Sequence, residues 1–294
     1  MKQKNLPIPK KLYKYRAFNE YTLQLLDRTE IYYADPRSFN DPIDSNPAVI
    51  SDLNITQLER LFLSTVKARR GAKCARDEIT HHRYMATEYG DYKTNADAKE
   101  SYISNLTDSL VRTLREDIGA CGILSLASKW DNPLMWSHYA NDHRGICIEY
   151  STTDCRFSNI GKINYNGPRA IRLSDVFAWR IEDDPEAKER VRTAIYFSKA
   201  ADWRYEGEWR DLTDTSGVYP APGPPSSVLF GHRCDLSIMR VVIRLFKDAE
   251  FPLKFYVVRP SEQTFKFKRY KIDTEEILSE GVRMPAGWEF RESI

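Results

Sequence analysis

Apolar residues along the chain follow two spacings. Alternation at every second position predicts strands at "KLYKYR" (11–16), "EIYYADP" (30–36), "CGILSLAS" (121–128) and "ICIEY" (146–150), and toward the end "VLFG" reads as a short strand followed by two more at "LKFYVV" and "TFKFKRYKI". Helical spacing predicts "NEYTLQLLDR" behind an Asn19 cap, "KWDNPLMWSHYAND" with Asn132 as cap and Pro133 at its first position, and "DPEAKERVRTAIYFSKA" behind Asp184 and Pro185. A further helix follows Asp235 and runs to about Phe246. Residues 52–117 are polar and helical, with Leu58 and Leu61 in one run and Leu106, Leu110 and Leu114 in another. They read as a helical insertion, and the segment between the two runs is weakly patterned and expected to be mobile. The stretch 213–227, "TDTSGVYPAPGPPSS", is expected to form a surface loop. Together these elements predict a single α+β domain over 1–294 built on a mixed, mostly antiparallel sheet.

One stretch sorts its side chains by parity. In "WRYEGEWR" (203–210) the aromatics and Gly207 occupy one set of alternate positions, and Arg204, Glu206, Glu208 and Arg210 occupy the other. On a strand the two glutamates project the same way, attached about 6.6 Å apart, whereas on a helix they diverge. Neighbouring carboxylates repel, so the pattern requires a compensating partner: the flanking arginines, a bound cation, or a ligand. The structural alternative is an exposed ion-pair ladder worth little energy.

Composition narrows the classes. The 294 residues carry 44 basic and 42 acidic side chains, so no molecule-wide field draws in nucleic acid or an anionic membrane. A basic cluster at Lys2, Lys4, Lys10, Lys11, Lys14 and Arg16 reads as a solvated arm entering the first strand. No apolar run approaches a membrane span and the opening "MKQKNLPIPKK" has no signal-peptide core, which predicts a soluble, cytoplasmic protein without a membrane partner. Five scattered cysteines predict reduced thiols. The common phosphate-loop, dinucleotide, zinc-protease and nucleophile-elbow motifs are missing, and no metal is expected.

The pieces "LYKYR", "FNDP", "LMWSHYANDHRGICIEY", "WRYEGEWR" and "VLFGHRC", in this order, resemble the bacterial domain-of-unknown-function family 2971. The layout is also similar to the ADP-ribosyltransferase fold, a split sheet in which an early strand, a middle strand and a late E-x-E strand surround NAD. That resemblance implies NAD as co-substrate, Glu208 and Glu206 as catalytic residues, and Lys14, Arg16, Ser125, Ser128, Trp136 and Tyr139 as cofactor contacts. It implies an NAD-dependent transferase or glycohydrolase acting on a protein or nucleic-acid acceptor, as a toxin or phage-defence effector with a neighbouring-gene antitoxin or defence partner. Two other functions fit the residues: a non-catalytic sensing or interaction module docking through the Arg-Glu-Glu-Arg row, and a metal-dependent nuclease using Asp41, Glu206 and Glu208.

Overall fold

The computed structural model describes residues 7–87 and 91–279; Lys2 and Lys4 of the basic arm lie outside them. The chain runs β1 (Lys11–Arg16), α1 (Glu20–Asp27), β2 (Glu30–Tyr33), a 3-10 turn at Pro36–Ser38 and β3 (Ala48–Ile50). The insertion follows as α2 (Ile55–Thr87) and α3 (Ala96–Ala120), leading to β4 (Gly122–Ala127), α4 (Pro133–Tyr139) and β5 (Ile146–Ser151). Next come β6 (Gly161–Lys162), β7 (Ala170–Arg172), α5 (Leu173–Ile181) and α6 (Pro185–Tyr196). A 3-10 turn at Ala201–Glu206 precedes β8 (Glu208–Thr213), β9 (Gly217–Pro220) and β10 (Pro225–Phe230). The last described elements are α7 (Leu236–Leu245), β11 (Lys254–Pro260), β12 (Phe267–Lys271) and α8 (Thr274–Ser279).

The fold is the expected α+β arrangement. Eight strands form one sheet in the order β12-β11-β10-β5-β1-β4-β8-β6, antiparallel throughout except for β10 beside β11. The four helix caps read from sequence are in place: Asn19, Asn132, Asp184 and Asp235 each accept a backbone N–H of the first turn. Among the described residues no helix is long and apolar enough to cross a membrane. All five cysteines are free thiols.

Two expectations are corrected. The weakly patterned middle of the insertion is helical up to Thr87, with residues 88–90 outside the described residues: α2 breaks only at Gly71, whose backbone (φ 87°, ψ 165°) is open to glycine, and resumes to bury Ala75, Ile79 and Ala86. These pack with Phe62, Tyr102 and Leu106 against Val176, Phe177 and Val191 of α5 and α6. The stretch 213–227 contains ordered strand, because β9 pairs antiparallel with β2 from Glu30↔Pro220 to Tyr33↔Gly217 and β10 begins at Pro225.

The sheet is nearly divided at one place. β1 pairs with β5 along its whole length, from Lys11↔Ser151 to Arg16↔Ile146, but meets β4 at one register pair, Tyr13↔Ala127. At the other end of β4, Ile123 exchanges both backbone hydrogen bonds with Ala34 (2.9 Å each). Between these anchors a seam opens beside Ser125, whose carbonyl accepts the Lys14 ammonium at 2.8 Å.

Candidate functional site

A cavity of about 190 Å³ occupies this seam, and its wall includes Lys14, Ser125, Tyr139, Lys199, Glu206 and Glu208. Both glutamates reach it, though not as neighbours on one strand. Residues 201–206 coil into the 3-10 turn, so the expected strand over 203–210 begins only at Glu208. Gly207 joins the two pieces in the left-handed region (φ 53°, ψ 43°), and its carbonyl accepts the Ser128 N–H at 3.1 Å. A Cβ built there would crowd Ser128 Oγ, so the position favours glycine both for its backbone and for its missing side chain. The sharp turn brings Glu206 back beside Glu208.

The acidic row is buried, which corrects the exposed-ladder alternative. Glu206 and Glu208 are each 4 % exposed and Arg210 is 0 % exposed. Arg210 donates through Nε and Nη2 to the two oxygens of Glu208 (2.8 and 3.2 Å), through Nη2 to Asp44 (2.6 Å), and through Nη1 to Ser45 Oγ and the Tyr196 carbonyl (3.1 and 3.0 Å). Its guanidinium also lies over the Phe39 ring, 5.3 Å from the centroid. Lys199 Nζ stands among three carboxylates, 2.6 Å from Glu206, 3.1 Å from Glu208 and 3.4 Å from Asp44, and caps the Trp203 ring at 4.9 Å. Tyr139 donates its hydroxyl to the other oxygen of Glu206 at 2.5 Å, and the Tyr165 hydroxyl accepts the Glu208 N–H at 2.8 Å. A fully buried Arg210 cannot serve a docking row.

The two carboxyl groups differ in proton affinity. Burial raises both, but Arg210 and Lys199 overcome it at Glu208 and hold that carboxyl well below the usual range. At Glu206 burial and the charge of Glu208 outweigh Lys199 and Tyr139, so its pKa is raised. Burial also opposes charge on Lys199, yet Glu208, Glu206 and Asp44 more than restore it and raise its pKa. Lys14 is pushed down to about 7 by burial and by Arg16, against the pull of Glu208 and Glu206. One pocket therefore holds a fixed anion, a carboxyl that protonates more readily, and an amine that changes charge near neutrality.

Of the cofactor contacts expected from sequence, Lys14, Ser125 and Tyr139 line the cavity. Arg16, two residues on from Lys14 along β1, does not. Trp136 is fully buried, donates Nε1–H to the Trp130 carbonyl (2.7 Å) and packs edge-on against Tyr15, so its role is core packing. Ser128 supports Gly207 from outside the cavity wall. Tyr139 meets Glu206 through its hydroxyl, a polar contact in the cavity wall. Asp41 closes a turn by accepting the Ile43 N–H (2.9 Å) and lies outside the cavity wall; the nearby acid that enters the network is Asp44. Between Asp44, Glu206 and Glu208, the position a cation would take in the nuclease arrangement is held by the Lys199 ammonium.

Sequence reasoning missed Asp44, Asn40 and Lys199. Asn40 lines the cavity from the "FNDP" piece, so that piece did carry a signal, but as a turn it gave no direction for its side chains. Lys199 sits just past α6, one residue beyond Ser198, whose hydroxyl is tied back to the Thr193 carbonyl (2.9 Å).

Comparison of the chain with curated proteins and with solved structures yields no match. Residues 135–210 match the family described as Protein of unknown function (DUF2971), a span that runs from Met135 in the cavity wall through Tyr139, Lys199, Glu206 and Glu208 to Arg210, so the likeness to that family falls on the segment that builds most of the site.

Proposed function

We propose that the seam pocket binds the nicotinamide-ribose end of NAD and breaks its N-glycosidic bond, passing ADP-ribose to an acceptor nucleophile or to water. Two carboxyl groups with opposed proton affinities in one cavity carry this function. When the bond breaks, its electron pair leaves with nicotinamide, which departs neutral, and positive charge develops on the ribose. Glu208, held ionised by Arg210 and Lys199, is suited to face that charge. Glu206 accepts the proton of the attacking nucleophile, and Tyr139 and Lys199 hold its two oxygens in place. A cavity of about 190 Å³ suits one ring and its sugar, so the remainder of the dinucleotide lies toward the opening. An enzyme that consumes NAD in this way would serve as a toxin or phage-defence effector.

The test is nicotinamide release from NAD by the purified protein. Glu206→Gln retains an oxygen for Lys199 and a partner for the Tyr139 hydroxyl, so it is expected to keep the wild-type melting temperature. Release falls about 100-fold or more in this variant, the loss typical of a missing general base. No release by the wild-type protein, or full release by Glu206→Gln, overturns the proposal.

A further inference from the structure

We infer that the end of the sheet formed by the β11–β12 hairpin and the adjoining turns is a binding surface for single-stranded nucleic acid. The β11–β12 register sets Arg259 directly opposite Lys268. Like charges in that position destabilise a sheet unless an anion lies between them. Arg259 also lies over the Tyr270 ring, 6.0 Å from its centroid, and the hairpin turn carries Lys266 and a fully exposed Phe265. β10 runs parallel to β11, so its C-terminal turn delivers Arg233 to the same end. The Arg233 N–H donates to the His143 carbonyl (3.0 Å), and the His143 ring packs on Phe267 at 5.5 Å, which joins the turn bearing Arg144 to the surface.

The five cations Arg144, Arg233, Arg259, Lys266 and Lys268 are exposed, and among the described residues none forms an ion pair or a side-chain hydrogen bond. Some exposed arginines elsewhere are matched, Arg69 with Glu116 and Asp117, Arg83 with Glu59 and Arg190 with Asp175, while among the described residues Arg28, Arg76, Arg115 and Arg156 form no ion pair either, so what sets this end of the sheet apart is cations gathered beside exposed rings, two of them directly opposed across the ladder. The acids nearby are Asp142 and Glu262 in the same turns, and Asp235, whose carboxylate is spent capping α7. Unmatched cations beside exposed aromatic rings suit a ligand that offers both phosphates and flat bases. A net charge of +2 adds no general attraction, so such binding rests on this patch alone.

Fluorescence anisotropy of a labelled oligothymidylate with the full chain tests this. Binding is expected to weaken with salt at a log–log slope of about −3 to −4, that of some five phosphate contacts to a single strand. Arg259→Glu with Lys268→Glu lowers affinity roughly tenfold or more and flattens the slope. Phe265→Ala lowers affinity by a similar factor and leaves the slope unchanged, because it removes stacking and no charge. Arg233→Glu with Lys266→Glu, placed in turns off the strand ladder, gives the same result should the first pair disturb the hairpin. Failure of the oligonucleotide to bind at low salt, affinity indifferent to both charge reversals, equal affinity for duplex DNA with no effect of Phe265→Ala, or binding only to phosphatidylserine vesicles each overturns the inference. These variants leave the pocket intact, so nicotinamide release reports on the other proposal independently.

Discussion

Gly207 gives the two glutamates their common direction. Its left-handed backbone ends the 3-10 turn and starts β8, while Ser128 closes off the space a side chain would need. Gly207→Ala is expected to lower stability by at least about 1–2 kcal/mol from the backbone alone. Adding Ser128→Gly should recover only the part due to the clash, as a double-mutant cycle by urea unfolding would show. The parity of "WRYEGEWR" made Glu206 and Glu208 legible in the sequence for a partly mistaken reason: they do share a pocket, but a tight turn and not a continuous strand puts them there. Their partners were not legible. Asp44 and Arg210 are 166 residues apart in the chain, and nothing local in "DPIDSNP" distinguishes the acid that closes a turn, Asp41, from the acid that crosses to the arginine.

At the level of elements, the sequence was most readable where a cap or proline fixed a boundary, as at Asn132-Pro133 and Asp184-Pro185. It was least readable where a distant partner decides the conformation. β9 is short and lies in a Pro/Gly-rich run, and its pairing with β2 makes it a strand. The helix after Gly71 has a weak apolar stripe because it buries small residues, Ala75 and Ala86, against the rest of the insertion. Gly71 itself has open space around its α-carbon, so Gly71→Ala meets no clash and costs only backbone strain, about 1–3 kcal/mol. Thermal unfolding of that variant would check the figure; a melting temperature equal to wild type would mean that the break in α2 can straighten.

On the scale of the whole molecule, two buried networks should shape the dependence of stability on pH. Burial, reinforced by Arg16, lowers the pKa of Lys14 to about 7 in the folded chain, while the unfolded chain retains an ordinary lysine near 10.4. Between these values the unfolded state binds the extra proton, so stability rises with pH across that window, and below pH 7 the penalty is felt in full. Lys14→Met should raise the urea midpoint at pH 6 and flatten the rise toward pH 9. On the acid side, burial works against Glu149, but hydrogen bonds from Lys11, Arg269 and Ser226 outweigh it and hold it at about 2. Its contribution is present above the ordinary glutamate value and is lost as pH falls toward 2, so Glu149→Gln should remove that part of the acid transition. Near-neutral composition concealed both networks, because balanced totals carry no information about which charges meet.

The single register pair between β1 and β4 bears on ligand choice. Spreading the sheet at that point sacrifices almost no backbone hydrogen bonding, so the main chain sets little limit on the girth of an incoming molecule. Discrimination by size therefore falls to side chains that bridge the gap, and the Lys14–Ser125 contact is the clasp a guest must open first.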